Sequence, residues 1–145
     1  MGWLKRGLRY LAHFPEKGLM IIPGEKLYLH GASDADWGGE NTSMKSTTGA
    51  YLALGDFGVV WSCSKLQRKV ADSSTAAETY ALHELVKNVI EVHGKLAEMG
   101  VQVELPVKLM QDNAAVIRMS EVMMAHGGTK HIRICQLILD MKLWI

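Results

Sequence analysis

The stretch from Leu27 to Trp37, LYLHGASDADW, constrains the fold more than any other part of this sequence. Its first half alternates with a period of two residues, which predicts a β-strand over about Leu27–Ser33. The strand leads into two acids, Asp34 and Asp36, and then into a pair of glycines. A carboxylate at the carboxyl end of a strand is well placed for a metal or ligand site. The alternative is a turn in which the aspartates bond to their own backbone.

The composition is that of an ordinary globular domain. A chain of 145 residues, 48% hydrophobic and 21% charged, suits one domain with a sizeable core. The net charge of +1 gives no global electrostatic case for nucleic-acid binding, so any basic surface must be local. The two cysteines, Cys63 and Cys135, form no spaced motif, which favours free thiols in a reducing compartment.

Targeting and membrane signals are not found in the sequence. The basic N-terminus lacks the continuous apolar core of a signal peptide, and no apolar run approaches the length of a transmembrane helix. We therefore expect an intracellular protein that is not secreted and has no membrane partner. The sequence does not distinguish the cytoplasm from the nucleus.

Several shorter elements follow from apolar spacing and breaker residues. A helix is predicted over Trp3–Phe14, because Leu4, Leu8 and Leu11 share one face. Further strands are predicted over Gly49–Leu54, Val59–Ser62 and Pro106–Asp112, and further helices over Ala114–Met119 and from about Lys130 to Trp144.

The longest predicted helix begins near Thr75 and stops at Gly100. Apolar residues recur along it at steps of three and four, which indicates a buried stripe. Thr75 followed by Glu78 has the spacing of a capping box, in which Glu78 would bond back to the backbone. Glu78 also lies on the buried stripe, four residues before Leu82. A cap and a functional site are therefore equally open readings of Glu78.

A second strand also ends in an acid, Asp112, which could serve only as the N-cap of the helix that follows. If the strands before Asp34 and Asp112 are parallel neighbours, both acids and Glu78 converge at one edge of the sheet. Three carboxylates that close repel one another and need a cation. Hard oxygen ligands suit Mg²⁺ or Mn²⁺, and a pair of such ions promotes phosphoryl transfer.

The sequence resembles the ribonuclease H domain of copia-type LTR retrotransposon Pol polyproteins. Six segments match the family motifs S-D-A-D-W-A-G, K-S-T-S-G, W-x-S-K-K-Q, S-S-T-E-A-E, D-N-Q-S-A and T-K-H-I in the same order. They are Ser33–Gly39, Lys45–Gly49, Trp61–Gln67, Ser73–Glu78, Asp112–Ala115 and Thr129–Ile132. Upstream, Leu8–Leu11 is similar to the L-R-Y-L of the segment that joins polymerase to ribonuclease H.

The resemblance implies a mixed α/β architecture, the ribonuclease H-like fold, whose sheet has helices on both faces. Its first three strands are antiparallel and its first and fourth are parallel. Residues 1–24 would be the tail of the linking segment and residues 25–145 the ribonuclease H-like domain. The implied catalytic and metal-binding carboxylates are Asp34, Glu78 and Asp112, with Asp36 supporting the turn. The implied substrate is an RNA–DNA hybrid, the implied cofactor is Mg²⁺ or Mn²⁺ in a two-ion site, and the implied partner is the upstream reverse transcriptase polymerase domain.

The sequence departs from the family pattern near its end. Arg133 stands where the family has Asp in K-H-I-D, and the family's A-D-x-x-T-K segment with a fourth carboxylate has no match. Asp140 lies two turns beyond Arg133 on the predicted helix, about 10 Å away. We therefore expect a sheet without its last strand and helix, with one edge unpaired. The departures also put the second ion in doubt.

Three basic residues are candidate substrate contacts, Lys65, Arg68 and His131, although solvated charges and a polar helix start are the commoner meanings of such residues. Two functions remain open. The chain is either a metal-dependent endonuclease that cuts the RNA strand of hybrids, or a truncated, catalytically inactive remnant that at most binds nucleic acid weakly. The intact Asp34, Glu78 and Asp112 favour the first function, and Arg133 favours the second.

Overall fold

A computed structural model describes residues 2–18, 27–40, 42–56, 58–125 and 139–143. Three helices and five strands occur in these ranges. In chain order they are α1 (Gly2–His13), β1 (Tyr28–Asp36), β2 (Thr47–Leu54), β3 (Gly58–Leu66), α2 (Ser74–Glu98), β4 (Glu104–Gln111), α3 (Ala114–Ala125) and β5 (Leu139–Leu143).

The strands form one mixed sheet in the order β3-β2-β1-β4-β5. β1 pairs antiparallel with β2, and β2 pairs antiparallel with β3. β1 pairs parallel with β4, and β4 pairs parallel with β5. The mixed α/β class, the three antiparallel strands and the parallel first and fourth strands are therefore confirmed. Because β1 and β4 are parallel neighbours, their carboxyl ends meet at one edge of the sheet.

The core lies between the sheet and α2. Leu82, Leu85 and Val89 form the buried stripe of the helix. They pack in one cluster with alternate residues of the strands, Leu29 from β1, Leu52 from β2 and Leu109 from β4, and with Val116 from α3. Each fully buried leucine contributes about 1.5–3 kcal/mol through the hydrophobic effect, so this stripe fixes the rotation of α2 over β1 and β2.

The predicted capping box at the start of α2 is wrong. The N-cap is Ser73, whose hydroxyl accepts a hydrogen bond from the backbone N–H of Ala76 at 3.1 Å. Thr75 lies inside the helix, where its carbonyl accepts from the Thr79 hydroxyl. Serine and threonine are both good N-caps, and the helix begins two residues earlier than the pattern predicted. Glu78 is thereby free of a capping role.

The end of the described chain also differs from the prediction. Leu139–Leu143 is a strand paired with β4, not the continuation of a helix to Trp144, so the edge of β4 is not unpaired and the sheet has a fifth strand. The residues alternate Leu-Asp-Met-Lys-Leu, a period-two pattern that is typical of a strand but is only five residues long. The open edge of β4 favours the strand. His131 and Arg133 lie outside the described residues.

Candidate metal centre

Asp34 is held at the carboxyl end of β1, opposite Gly49 of β2. The backbone N–H of Ala35 donates to Asp34 Oδ1 at 2.8 Å and to Glu78 Oε1 at 3.2 Å. One peptide N–H is therefore shared by two carboxylates from different elements. This contact brings the first turns of α2 onto the end of the strand.

Glu78 points from α2 into the sheet and is only 7% exposed. Its Oε2 lies 3.5 Å from the side-chain amide nitrogen of Gln111, the last residue of β4. Both oxygens of Glu78 thus face β1 and β4 rather than the start of its own helix. The capping role that the sequence left open for Glu78 is therefore excluded, and its carboxylate points into the sheet.

Asp112 follows β4 directly, and Asn113 rather than Asp112 caps α3. The Asn113 Oδ1 accepts from the backbone N–H groups of Ala115 and Val116 at 3.0 and 3.3 Å. The side chain of Asp112 is exposed and is not consumed by capping. The interpretation of Asp112 as an N-cap is therefore wrong, and its carboxylate is available to a ligand.

The three acids converge as the sequence predicted. Asp34, Glu78 and Asp112 each offer a carboxylate oxygen, and these oxygens all lie within 4.8 Å of one another. Asp34 and Asp112 also line an open cavity of about 320 Å³ together with Ala32, Gly49 and Tyr51. Three hard oxygen donors at this spacing beside an accessible cavity fit a divalent cation such as Mg²⁺ or Mn²⁺.

Burial and neighbouring charge both disfavour the ionised form of Glu78. The pKa of Glu78 is raised to about 7, first because burial disfavours its charged form. The hydrogen bond with Asp34 and the charges of Asp34 and Asp112 raise this pKa further, while the N–H of Ala35 opposes the shift. Positive charge at this point would reverse these effects and favour the ionised carboxylate.

Asp36 does not join the cluster. Its carbonyl accepts from the backbone N–H of Gly39 at 3.4 Å, and its carboxylate lies where a side chain on Gly39 would have to stand. This arrangement agrees with the predicted role of Asp36 in the turn. The neighbouring Trp37 donates from its indole nitrogen to the carbonyl of Ala71 at 3.1 Å, which ties the turn to the loop before α2.

Of the three basic candidates for substrate contact, Lys65 and Arg68 lie in the described part of the chain. Lys65 and Arg68 line a second cleft beside α2. Lys65 is partly neutralised, because its Nζ lies 2.6 Å from Glu84 Oε1. His131, the third candidate, lies outside the described residues, so its role as a substrate contact stays a prediction.

Gln111 is the site residue that sequence reasoning missed. Its side chain is fully buried, and its Oε1 accepts from the backbone N–H groups of Asp112 and Asn113 at 2.9 and 3.2 Å. Together with the contact to Glu78, these bonds join two of the three acids through one amide. The available signal was a polar residue at an inward position of an alternating strand, after Val107 and Leu109.

The fold and the cluster define a ribonuclease H-like domain. The crystal structure of LC11-RNase H1 in complex with an RNA/DNA hybrid superposes with a TM-score of 0.55 over 80% of this chain and 84% of that one, at 12% identity. A second structure of LC11-RNase H1 superposes with a TM-score of 0.51 at 13% identity. No protein-family model matches the sequence.

The sequence relatives are retrotransposon polyproteins. The chain is 36% identical over 129 residues to the retrovirus-related Pol polyprotein from transposon RE2 of Arabidopsis thaliana, and this match covers 89% of the chain. It is 35% identical over 113 residues to the Pol polyprotein from transposon TNT 1-94 of Nicotiana tabacum, covering 78% of the chain. The resemblance to the ribonuclease H domain of copia-type Pol polyproteins is therefore confirmed.

The chain spans only 9% and 8% of the lengths of these two Pol polyproteins. Among the helices that the structure describes, none combines the length and the apolar character needed to cross a bilayer.

Proposed function

We propose that this domain is a metal-dependent nuclease that hydrolyses the RNA strand of RNA–DNA hybrids, with Asp34, Glu78 and Asp112 as its metal-binding and catalytic residues. The convergence of their oxygens within 4.8 Å is the observation that carries the proposal. The hybrid is the inferred substrate because LC11-RNase H1, which shares the fold, was crystallised with one. The relatives suggest a polymerase domain as partner, working inside the cell during reverse transcription.

The residues of the chain have distinct tasks in this proposal. When bound, Mg²⁺ or Mn²⁺ supplies an activated water and neutralises charge on the leaving oxygen. The three carboxylates hold the cation, and Glu78 must first lose the proton that its raised pKa retains near neutral pH. The N–H of Ala35 and the amide of Gln111 orient the Glu78 carboxylate without being charged themselves. The neighbouring cavity leaves room for a sugar–phosphate group.

The first prediction concerns cleavage. A hybrid labelled on its RNA strand should be cut in Mg²⁺ or Mn²⁺ by the chain, and Asp112→Asn should lower the rate by at least about 100-fold, since it removes one anionic ligand at the transition state. The matched control is Asp56→Asn, an exposed aspartate that bonds to Tyr28 away from the cluster. It should leave the rate unchanged. Equal cleavage by the chain and Asp112→Asn would refute the assignment.

A second function, hybrid binding without cleavage, is favoured by Arg133, which stands where the family has an acid. If Arg133 points toward the cluster, its charge would oppose the binding of the second ion, because like charges a few ångströms apart repel by several kcal/mol at an effective dielectric constant of about 20. The same assay separates the two functions. Hybrid that is bound but stays intact in Mn²⁺, with Arg133→Asp raising metal affinity, would select the inactive remnant.

A further inference from the structure

Gln111 is the last residue of β4, and its side chain is fully buried. It lies against the carboxylate cluster, which consists of Asp34, Glu78 and Asp112. Its Oε1 accepts from the backbone N–H groups of Asp112 and Asn113 at 2.9 and 3.2 Å. Its Nε2 donates to Glu78 Oε2 at 3.5 Å. Because the two backbone groups can only donate, they fix which end of the amide faces Glu78.

Both oxygens of Glu78 therefore face a hydrogen-bond donor, and each donor belongs to a different strand. Oε1 accepts from the backbone N–H of Ala35 in β1 at 3.2 Å, and Oε2 faces the Gln111 amide of β4. The side chain is buried, so water does not readily replace either donor. Turning the carboxylate to offer both oxygens to one cation would break at least one of these hydrogen bonds. Glu78 is thus held as a ligand that offers a single oxygen.

The number of oxygens that a site can offer distinguishes Mg²⁺ from Ca²⁺. Ca²⁺ takes about six to eight oxygens in a flexible arrangement, and a carboxylate often gives it both of its oxygens. Mg²⁺ is smaller, demands a near-ideal octahedron and keeps several waters. Three carboxylates that each offer one oxygen, within 4.8 Å of one another, suit the smaller ion. A Glu78 free to turn would supply the additional oxygen that Ca²⁺ uses.

We propose that Gln111 sets the preference of the carboxylate cluster for Mg²⁺ over Ca²⁺, by holding Glu78 as a single-oxygen ligand. This inference rests on the proposed function, which requires a cation, and extends it to the choice of the cation. Gln111 acts through Glu78 and through the backbone of Asp112, so it is a positioning residue rather than a ligand. Partners of this kind orient metal ligands and tune the affinity of a site.

The test measures metal binding without any nucleic acid. Electron paramagnetic resonance of free Mn²⁺ gives the affinity of the chain for Mn²⁺, and displacement by Mg²⁺ and by Ca²⁺ gives the other two affinities. Only binding that Asp112→Asn abolishes is counted. Gln111→Met keeps the volume of the side chain and removes the amide, so the affinity for Mg²⁺ should fall by about 10–100-fold. The affinity for Ca²⁺ should fall much less, so the ratio of the Mg²⁺ to the Ca²⁺ affinity should fall by about tenfold or more.

The matched control is Gln67→Met, the same substitution at a second buried amide. Gln67 donates to the hydroxyl of Thr48 and to the carbonyl of Ala77, both at 3.0 Å, and neither of these bonds goes to a carboxylate. Its loss should lower the free energy of unfolding and leave the ratio of the two affinities unchanged. Equal ratios for Gln67→Met and Gln111→Met would overturn the proposal.

Gln111→Glu provides a second test that retains the backbone contacts. Its carboxylate still accepts from the N–H groups of Asp112 and Asn113, but when ionised it cannot donate to Glu78. The added charge acts alike on both divalent ions, so the lost donor should shift the ratio toward Ca²⁺, and an unshifted ratio would contradict the proposal. A chain with the expected selectivity that cuts no hybrid would refute only the proposed function. Metal binding that does not depend on Asp112 would refute both.

Discussion

At the scale of single residues, local sequence patterns reveal some groups of the site and miss others. The acids at the strand ends are visible in the sequence because alternation ends at Asp34 and Asp112. Gln111 is different, because its importance arises only when β4 and α2 bring it within 3.5 Å of Glu78. The sequence therefore identified the three acids of the candidate site but not the amide that joins two of them.

Glu78 gives the residue-scale prediction. Its pKa is raised from about 4.5 to about 7 in the folded chain, so the folded state holds a proton that the unfolded state releases over this range. Stability falls with rising pH wherever the native state binds more protons. The free energy of unfolding of the metal-free chain, relative to Glu78→Gln, should fall by on the order of 3 kcal/mol between about pH 4.5 and 7. Urea unfolding of both proteins across this pH range measures the difference.

Adding Mg²⁺ gives the internal control for this measurement. A cation that binds only the folded chain stabilises it by mass action, and it should do so more strongly at pH 8 than at pH 5, where Glu78 keeps its proton. Glu78→Gln should respond weakly at both values. A difference between the two proteins that does not vary with pH would contradict the burial argument.

At the scale of elements, periodicity predicted most of the fold. It failed where one sequence pattern is compatible with two structures. The buried stripe of α2 and the alternation of β1 and β4 are strong signals because each faces a single apolar layer. The predicted N-cap of α2 was two residues too late, because Ser73 and Thr75 are both good N-cap residues. Leu139–Leu143 was misassigned because its strand state depends on β4, a distant part of the chain.

Gly31 carries the prediction at this scale. It lies in the middle of β1, and a Cβ built there would collide with the backbone oxygen of Tyr51 and approach Leu85 of α2 within 3.4 Å. Backbone atoms of a central strand cannot move aside cheaply. Gly31→Ala should therefore lower the free energy of unfolding by about 3 kcal/mol through overpacking. Thermal and urea unfolding measure this loss.

The control for Gly31 is Gly94, in the last quarter of α2, where nothing lies within 4 Å of an added Cβ. Alanine is preferred to glycine inside a helix by about 1 kcal/mol. Gly94→Ala should therefore stabilise the chain by roughly that amount. A stabilising Gly31→Ala would show that the backbone of β2 does not approach Gly31 as closely as described.

At the scale of the whole molecule, α1 stands apart from the sheet and α2. It has an apolar stripe, as predicted for Trp3–Phe14, but none of its residues is buried. Trp3 is 84% exposed and Leu4 69% exposed. Among the residues whose burial the structure describes, the buried apolar side chains all lie between Leu29 and Ile117. This agrees with the predicted division between residues 1–24 and 25–145, which stays a prediction.

The last prediction tests this independence. Deleting residues 2–18 removes no buried side chain, so the free energy of unfolding should change by less than about 0.5 kcal/mol, the usual range for surface changes. The affinity for Mn²⁺ should be unchanged, because the carboxylate cluster lies wholly within the remaining chain. Self-association should decrease, since exposed apolar surface is removed. The reference for a true core loss is Leu85→Ala, which should cost about 2–5 kcal/mol. A deletion as costly as Leu85→Ala would show that α1 packs against the domain in solution.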